Sequence, residues 1–513
     1  MAALDWIVIL VYLGGTIAMG IWLGRKQDDI DDYFLGGRAI PWWAALLSMV
    51  ATETSAATFL GAPEQGYIRD MAYLQFSVGT IAARFVLASL FIGVFYKFRV
   101  YTVYGFLTLR FGAPTHMTTA GVFLLGRLFA SGARLFIAAI AIQVATGLDM
   151  RTSIICLGIV AVVYTWFGGI KAVIWTDVMQ AVVLFGGGII AVFSLLGQIP
   201  LPFGEVIGEL SAAGKFQIFD FSWRMDDGRW APLFNPYHVL PAVVGGFFLT
   251  MATHGTDHDM VQRLLTCKES KEGKRSLWMS GLISVVVTGL FMFVGQLLYV
   301  YVGHLPETAG MAQTAAQLRE TGKNGYFFLH YIVDILPAGI TGLVLAAVFA
   351  AAMSSLDSAL SAMSATFVTD FYQPYFKRNA DKGHYVQVSR LSTGLIGVLL
   401  VGVALLVVQF YESNPDTDLL SIALGVMTFF YGALLGIFLV GMLFRGRGST
   451  VSNITGVLAS VAAVLAIKYG TEVGWPWFIV IGTLITFIIA LAGRTASDLV
   501  KRFTEADAAA SVQ

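Results

Sequence analysis

Apolar stretches of roughly the same length, parted by short polar segments, run along almost the whole chain. A helix crossing a bilayer needs about 20 mostly apolar residues. About 13 segments meet that need, near 4–23, 41–62, 71–96, 116–146, 152–168, 171–197, 237–264, 278–303, 328–371, 386–410, 418–443, 450–468 and 475–493. The pattern predicts an all-α integral membrane protein. Counting from span 0, span 8 (328–371) is longer than a bilayer and is expected to extend beyond it. Two spans break the apolar pattern. Span 1 reads SMVATETSAATFLG over 48–61, with Thr52, Glu53, Thr54, Ser55 and Thr58 at bilayer depth. Span 6 reads TMATHGTDHD over 250–259, after Gly245 and Gly246. Polar groups in hydrocarbon need partners and usually line a pathway or site. Paired interruptions five spans apart point to an inverted-repeat transporter with a site near the midplane.

The loops add an orientation. With the N-terminus outside, inner segments carry 21 Lys and Arg residues, Arg25, Lys26, Lys268 and Arg445 among them, and outer segments carry 8. By the positive-inside rule the chain runs N-out and C-in across the plasma (inner) membrane. Asp5 before the first span, with Arg25 and Lys26 after it, is the reverse of a signal peptide, so span 0 reads as retained. Two long outer loops, 200–236 and 305–327, are connectors or lids; the 305–327 loop reads as a short amphipathic helix plus a turn. From Thr504 on, small and polar residues suggest a frayed tail.

Composition narrows the class. Hydrophobic residues make up 57% and charged residues 12%, about half the charged share of a soluble domain. Lys plus Arg and Asp plus Glu both total 32, so nothing favours a nucleic-acid partner. The two cysteines, Cys156 and Cys267, do not make a disulfide framework. No Walker A loop, nucleophile elbow or dinucleotide fingerprint is present, which argues against an enzyme or an ATP-driven pump.

Span 8 carries AAAMSSLDSALSAMS (350–364). Ala351, Ser354, Ser355 and Ser358 share one helical face by their spacing. A small-residue face can simply pack closely, but Asp357 on the same stretch is an intramembrane carboxylate, which favours function. A hard cation such as sodium wants several carbonyl and hydroxyl oxygens. An unwound span 1 offers carbonyls and span 8 offers hydroxyls. Asp177 is a second buried acid, either partnered at its helix start or sharing a second cation or proton site with Asp357 and Ser358. Glu53 binds a cation, pairs with an intramembrane arginine or faces a vestibule. Arg84, Arg127 and Arg134 lie inside spans, and Arg134 is the deeper of the pair on span 3. Its fork suits a carboxylate, with internal pairing as the alternative. His254, Asp257, His258 and Asp259 read as a gate or helix cap near Gln262 and Arg263, rather than as a metal centre.

Together these stretches resemble the sodium/solute symporter family. The likeness runs from DDYFLGGR (31–38) through SMVATETSAATFLGAP (48–63), YTVYGFLTLRFG (101–112), YTWFGGIKAVIWTDVMQ (164–180) and GTDHDMVQRLL (255–265) to AAAMSSLDSALS (350–361). The resemblance implies a LeuT-type core of two five-helix inverted repeats, 41–197 and 237–443. Outside it lie an extra helix at 4–23, two more helices at 450–493 and a cytoplasmic tail at 494–513. It implies a principal sodium site at Ala51, Thr54, Ala351, Ser354 and Ser355. A possible second sodium or proton site falls on Asp177, Asp357 and Ser358, with Ser354. For the solute it implies Ser55 and Thr58, Phe76 and Ser77, and Thr253 and His254. The small groups at Thr58 and Ser77 argue against a galactose carrier and, with Arg134, favour a carboxylate-bearing solute such as a sialic acid. The expectation is a single-domain, sodium-coupled symporter working by alternating access, in which one chain suffices. A proton-coupled carrier, a sugar symporter and a solute sensor are the alternatives.

Overall fold

In the computed structural model the described residues are 1–23, 30–167, 169–414 and 417–510. Arg25 and Lys26, counted above for orientation, and Gly168 of the quoted motif lie outside them. The described chain is helical throughout, without a named strand. Among the described residues nine helices are long and apolar enough to cross a membrane, two bent pairs pass the same test together, and two shorter apolar helices fall on the remaining predicted segments.

The helices that matter for function are α1 (Ala3–Leu23), α2 (Trp42–Glu53), α3 (Ala56–Ile68), α4 (Ala72–Lys97), α5 (Ala113–Thr146), α6 (Met150–Phe167), α7 (Ile170–Gln198), α8 (Val239–Gly255) and α9 (His258–Leu265). They continue with α10 (Ser270–Gly303), α11 (Ile340–Thr366), α12 (Lys382–Ser413), α13 (Leu419–Leu443), α14 (Thr450–Gly470), α15 (Pro476–Ala492) and α16 (Ser497–Ala509).

Helix α11 is the axis of the molecule. Its apolar window is 94% buried, against 17% for α1, so α11 is enclosed by protein and α1 lies at the rim. A helix that is apolar on every side belongs in such a place. It packs on α1, α2, α5, α7 and α12. The rim helix still grips it: buried Asp5 accepts from the Gly339 and Gly342 amides at 2.7 and 3.0 Å. A carboxylate there satisfies donors that the first turn of α11 leaves open.

Backbones approach most closely through glycine. A Cβ at Gly66 would collide with the Met292 carbonyl, and one at Gly295 with the Pro63 carbonyl, so α3 and α10 lock reciprocally. Gly79 against Val243 and Gly246 against Phe76 lock α4 to α8 in the same way. In a membrane, where lipid is as apolar as leucine, such close contact is the main source of helix adhesion.

Two expectations are corrected. Span 8 begins at Ile340 rather than near 328, and from there runs long, to Tyr375: the helix Phe327–Asp334 ends before Pro337, and α11 begins after Gly339 at φ +89°. Proline disfavours helix at the residue before it, and the left-handed turn needs glycine. Nor does the chain fray at Thr504. Helix α16 continues to Ala509 because Phe503 is buried against Phe98 and Phe106, and Asp507 reaches Lys97 at 2.7 Å. The 305–327 loop does form its short helix, Gly310–Glu320. The 200–236 loop is bolted down: Lys215 Nζ donates to the Tyr67 and Arg69 carbonyls at the end of α3, at 2.7 and 2.6 Å.

Candidate functional site

The α2–α3 pair bends by 59° and the α8–α9 pair by 58°. At the first break Thr54 and Ser55 leave helical geometry (ψ 70° and 176°), so the carbonyls of the last α2 turn lose their usual i+4 donors. Helix α11 supplies donors in their place. The Ser354 hydroxyl donates to the Ala51 carbonyl at 3.0 Å and the Ser355 hydroxyl to Thr52 at 3.1 Å, and both also reach the Ala351 carbonyl at 3.3 Å. Ala51, Ala351, Ser354 and Ser355 are therefore brought together, with Thr54 buried on the same break. Thr52 joins them through a carbonyl that the sequence reading passed over. This donor set is all neutral oxygen, which suits a hard monovalent cation.

The second break is built from charge. Asp257 caps α9 by accepting from the Asp259 amide at 2.9 Å. Arg127 on α5 bridges Asp257 (3.0 Å) and Asp259. Arg263 bridges Asp259 (2.7 Å) and Asp177 (3.1 Å). Ser48 on α2 donates to Asp177 at 2.5 Å and accepts from Arg263 Nε at 2.8 Å, while the Tyr431 hydroxyl donates to Asp257 at 2.7 Å. These charged side chains are 1% exposed or less; their ion pairs join α5, α7 and α9, and the Ser48 and Tyr431 hydroxyls extend the chain to α2 and α13. Of the residues read as a gate or helix cap, Asp257 is the cap of α9, and His254 stands apart from the others, against Glu53.

The second-site expectation fares differently. Asp177 spends its contacts on Ser48 and Arg263 rather than on the α11 hydroxyls, and only its Oδ1 is without a hydrogen-bond partner. The Ser358 hydroxyl turns to the Ser355 carbonyl at 3.2 Å and toward Asp259 at 3.5 Å. Asp357 Oδ1 accepts from the Ser358 amide at 2.6 Å. The partner sequence reasoning missed is Arg263, and a buried-charge argument could have named it, since a buried carboxylate needs a cation.

Between α2, α3, α4 and α10 lies a cavity of about 130 Å³. Glu53, Thr58, Phe76, Ser77, Thr80 and Ser284 are on its wall. Glu53 finds its role here: Arg84 Nη2 donates to Oε2 at 2.5 Å, Ser284 donates to Oε2 at 2.8 Å, and His254 Nε2 meets Oε1 at 2.9 Å. Thr253 holds the other ring nitrogen of His254 at 2.9 Å. Of the expected solute residues, Thr58, Phe76 and Ser77 line the cavity. Thr253 and His254 stand behind Glu53. Ser55 does not line it; its hydroxyl accepts from the Ala57 amide at 3.3 Å as the cap of α3, the usual work of a serine at a helix start. Arg134 is not on the cavity wall; it is 8% exposed, with Nη2 toward the Met427 sulfur at 3.5 Å and with Nε and Nη1 unpartnered.

The model of the sodium:solute symporter family matches residues 33–458. The chain belongs to that family. Among similar proteins, the sodium/sialic acid symporter NanT of Aliivibrio fischeri is 29% identical, covering 95% of this chain and 92% of its own length. The sodium/sialic acid symporter SiaT of Proteus mirabilis is 28% identical over 97% and 95%. A sodium/glucose cotransporter of Vibrio parahaemolyticus is 26% identical over 91% and 85%. A solved substrate-bound, outward-open sodium-coupled sialic acid symporter superposes with a TM-score of 0.82 at 25% identity, covering 96% of this chain and 99% of that one. The sodium:solute symporter fold, of LeuT type, is thus the fold of this chain. As a member it is a multi-pass membrane transporter, not an enzyme, with sodium as its co-transported ion and a small solute as its cargo.

Proposed function

We propose that this symporter imports a small carboxylate-bearing organic solute, a sialic acid or another organic anion, on the inward sodium gradient. The observation that carries the solute class is Arg134. A guanidinium buried in protein with two nitrogens lacking partners is costly unless an anion meets it, and relatives named as sialic acid symporters agree with that class. The hydroxyl-rich cavity at Thr58, Ser77, Thr80 and Ser284 would take the solute's hydroxylated part.

Sodium would bind where the Ala51, Thr54 and Ala351 carbonyls meet the Ser354 and Ser355 hydroxyls, tying α2 to α11. A second sodium or a proton would use the open Oδ1 of Asp177, with Ser354, Asp357 and Ser358 nearby on α11. The repeats would be 41–197 and 237–443, which pairs broken span 1 with broken span 6, and their similar bends of 59° and 58° support that reading. The chain would sit N-out and C-in in the plasma membrane, and a single chain would suffice, because it holds the whole candidate site. Coupling requires that each ligand favour one state over another.

The test is uptake into proteoliposomes, with and without an inward sodium gradient, of N-acetylneuraminate, lactate, proline and glucose. Sodium-driven uptake of an acid, abolished in Arg134→Ala, is expected. Uptake of glucose alone would overturn the solute class. Uptake that ignores sodium and collapses with a protonophore would overturn sodium coupling in favour of protons.

A further inference from the structure

At the end of the bundle where α2 begins and α4 and α9 finish, three loops enclose an open cavity of about 620 Å³. Its lining is Gly37 and Arg38 ahead of α2, Tyr96, Arg99 and Tyr101 around the end of α4, and Lys268 after α9. Arg38, Arg99 and Lys268 form no ion pair with any described residue. Arg38 makes a single long hydrogen bond, to the Val100 carbonyl at 3.4 Å. Among the described residues, Asp32 has its Oδ1 against Gly37, Glu272 accepts from the Lys268 backbone amide at 3.1 Å, and Asp370 shares the wall of an adjoining cavity with Arg99. Lys97, next to Tyr96, is already engaged by Asp507.

The backbone here is unusual as well. Gly36, Gly37 and Arg38 stand at φ +58°, +63° and +52°, and Arg99 at +47°. Arg38 and Arg99 are the only described non-glycine residues at positive φ, and both are on the rim of one cavity. Side chains rarely tolerate that region, and such strain persists where its surroundings impose it, often at ligand sites. Cations on solvated loops normally spread apart; these three converge on a concave surface beside two tyrosines. Arginine forks plus a lysine ammonium are the groups that grip phosphate.

We propose that this cavity is a binding site for a phosphate-bearing anion, held by Arg38, Arg99 and Lys268. Its position gives the site a consequence. The Ile40 amide donates to the Thr266 carbonyl at 3.1 Å, and the Tyr96 hydroxyl donates to Leu264 and Cys267 at 2.6 and 3.0 Å, so these loops already join α2, α4 and α9. A bound phosphate cross-links the same ends and favours the arrangement in which they are together. The phosphate could belong to an anionic phospholipid or to a soluble anion. Neither the identity of the transported solute nor the sodium ligands enter this argument.

The test is native mass spectrometry of the full chain in detergent, titrated with phosphatidylglycerol or phosphatidylcholine. The wild type should retain phosphatidylglycerol at about tenfold lower concentration than phosphatidylcholine, in keeping with the attraction of clustered basic residues for anionic lipid. Arg99→Gln with Lys268→Gln should remove that preference. Both residues are exposed, so folding is not at stake, and an unchanged melting temperature checks it. Lys323→Gln with Lys501→Gln removes as much charge from elsewhere and should change nothing. An unaltered preference in the cavity variant, an equal loss in the control variant, or equal retention of the two lipids by a wild type that pyrophosphate does not stabilise would each overturn the site. Inorganic pyrophosphate, added without anionic lipid, distinguishes the sources. Stabilisation of the wild type but not the cavity variant assigns the site to a soluble anion, and selective phosphatidylglycerol binding without a pyrophosphate effect assigns it to lipid.

Discussion

The two helix breaks bend by nearly the same angle and are filled in opposite ways. At the α2–α3 break, open carbonyls face the Ser354 and Ser355 hydroxyls, and no charge enters the Ala51–Ser355 cluster. At the α8–α9 break, Asp257 and Asp259 face Arg127 and Arg263, and the protein itself supplies the cations. A neutral set of oxygens can accept and release a small ion, because no fixed charge competes for the place. A carboxylate pair already clasped by two guanidiniums cannot release its cations without leaving charge stranded in the interior. The first break is suited to a ligand that comes and goes, and the second to a joint that holds elements together.

The largest expected effect breaks the joint. Arg127→Ala leaves Asp257 and Asp259 facing one cation fewer in a fully buried place, and losing one partner of such a pair costs about 3–5 kcal/mol. Thermal unfolding in detergent should show a large drop or no folded protein. A drop no larger than that from a serine substitution at the first break would mean that the two breaks do not differ as argued.

Next comes the carboxylate between the two breaks. Glu53→Gln leaves Arg84, only 1% exposed, with a neutral partner in place of an ionised one, and a loss of about 2–3 kcal/mol is expected, since hydrogen bonds to charged groups are worth about that much. Glu53→Gln combined with Arg84→Met should recover part of the loss, because the stranded charge is then gone as well. A double variant as unstable as the sum of its parts would show that the pair is not coupled.

Ser354→Ala should lower stability by only about 1 kcal/mol, one neutral hydrogen bond's worth. It should nonetheless raise the sodium concentration for half-maximal uptake by about tenfold, as the loss of one ligand would. Sodium should also protect the variant less against heat, since a ligand stabilises only in proportion to its binding. If sodium dependence is unmoved, the neutral break is a packing feature and the contrast with the charged break loses its functional meaning.

These contrasts were unequally legible in the chain. The breaks themselves were visible, because Thr52 to Thr58 and Thr253 to Asp259 interrupt apolar runs, and hydrocarbon makes any such interruption conspicuous. The i, i+3, i+4 spacing of Ala351, Ser354 and Ser355 put them on one helical face, and the family resemblance implied Ala51 and Thr54 as their counterparts. The identity of charge partners did not follow. Pairing Arg263 with Asp177, or Arg84 with Glu53, joins residues 86 and 31 positions apart, and periodicity within one helix carries no information about which neighbour it meets. Ser55 shows a different gap: its hydroxyl caps its own helix through the Ala57 amide, a local hydrogen bond that the sequence reading did not consider. The helix at 497–509 was missed because its small polar residues predict fraying, while one aromatic, Phe503, anchors it from a distance.

The smallest effect asks whether burial, rather than charge as such, separates the joint from an ordinary ion pair. Asp507 pairs with Lys97 at 2.7 Å and Arg445 at 3.1 Å, so by contacts it resembles Asp259 between its two arginines. Its surroundings differ: these side chains are between 23% and 66% exposed, where water screens the attraction and rehydrates whatever a substitution strands. Asp507→Asn should therefore cost under about 1 kcal/mol and leave α16 in place, because Phe503 remains against Phe98, Phe106 and the Arg110 guanidinium. The loss should also shrink with added salt, whereas that of Arg127→Ala should not, since buried pairs are screened far less. A loss of several kcal/mol at Asp507, insensitive to salt, would show that a carboxylate between two cations is equally demanding wherever it sits in this molecule, and burial would no longer explain why the α8–α9 break is a fixed joint.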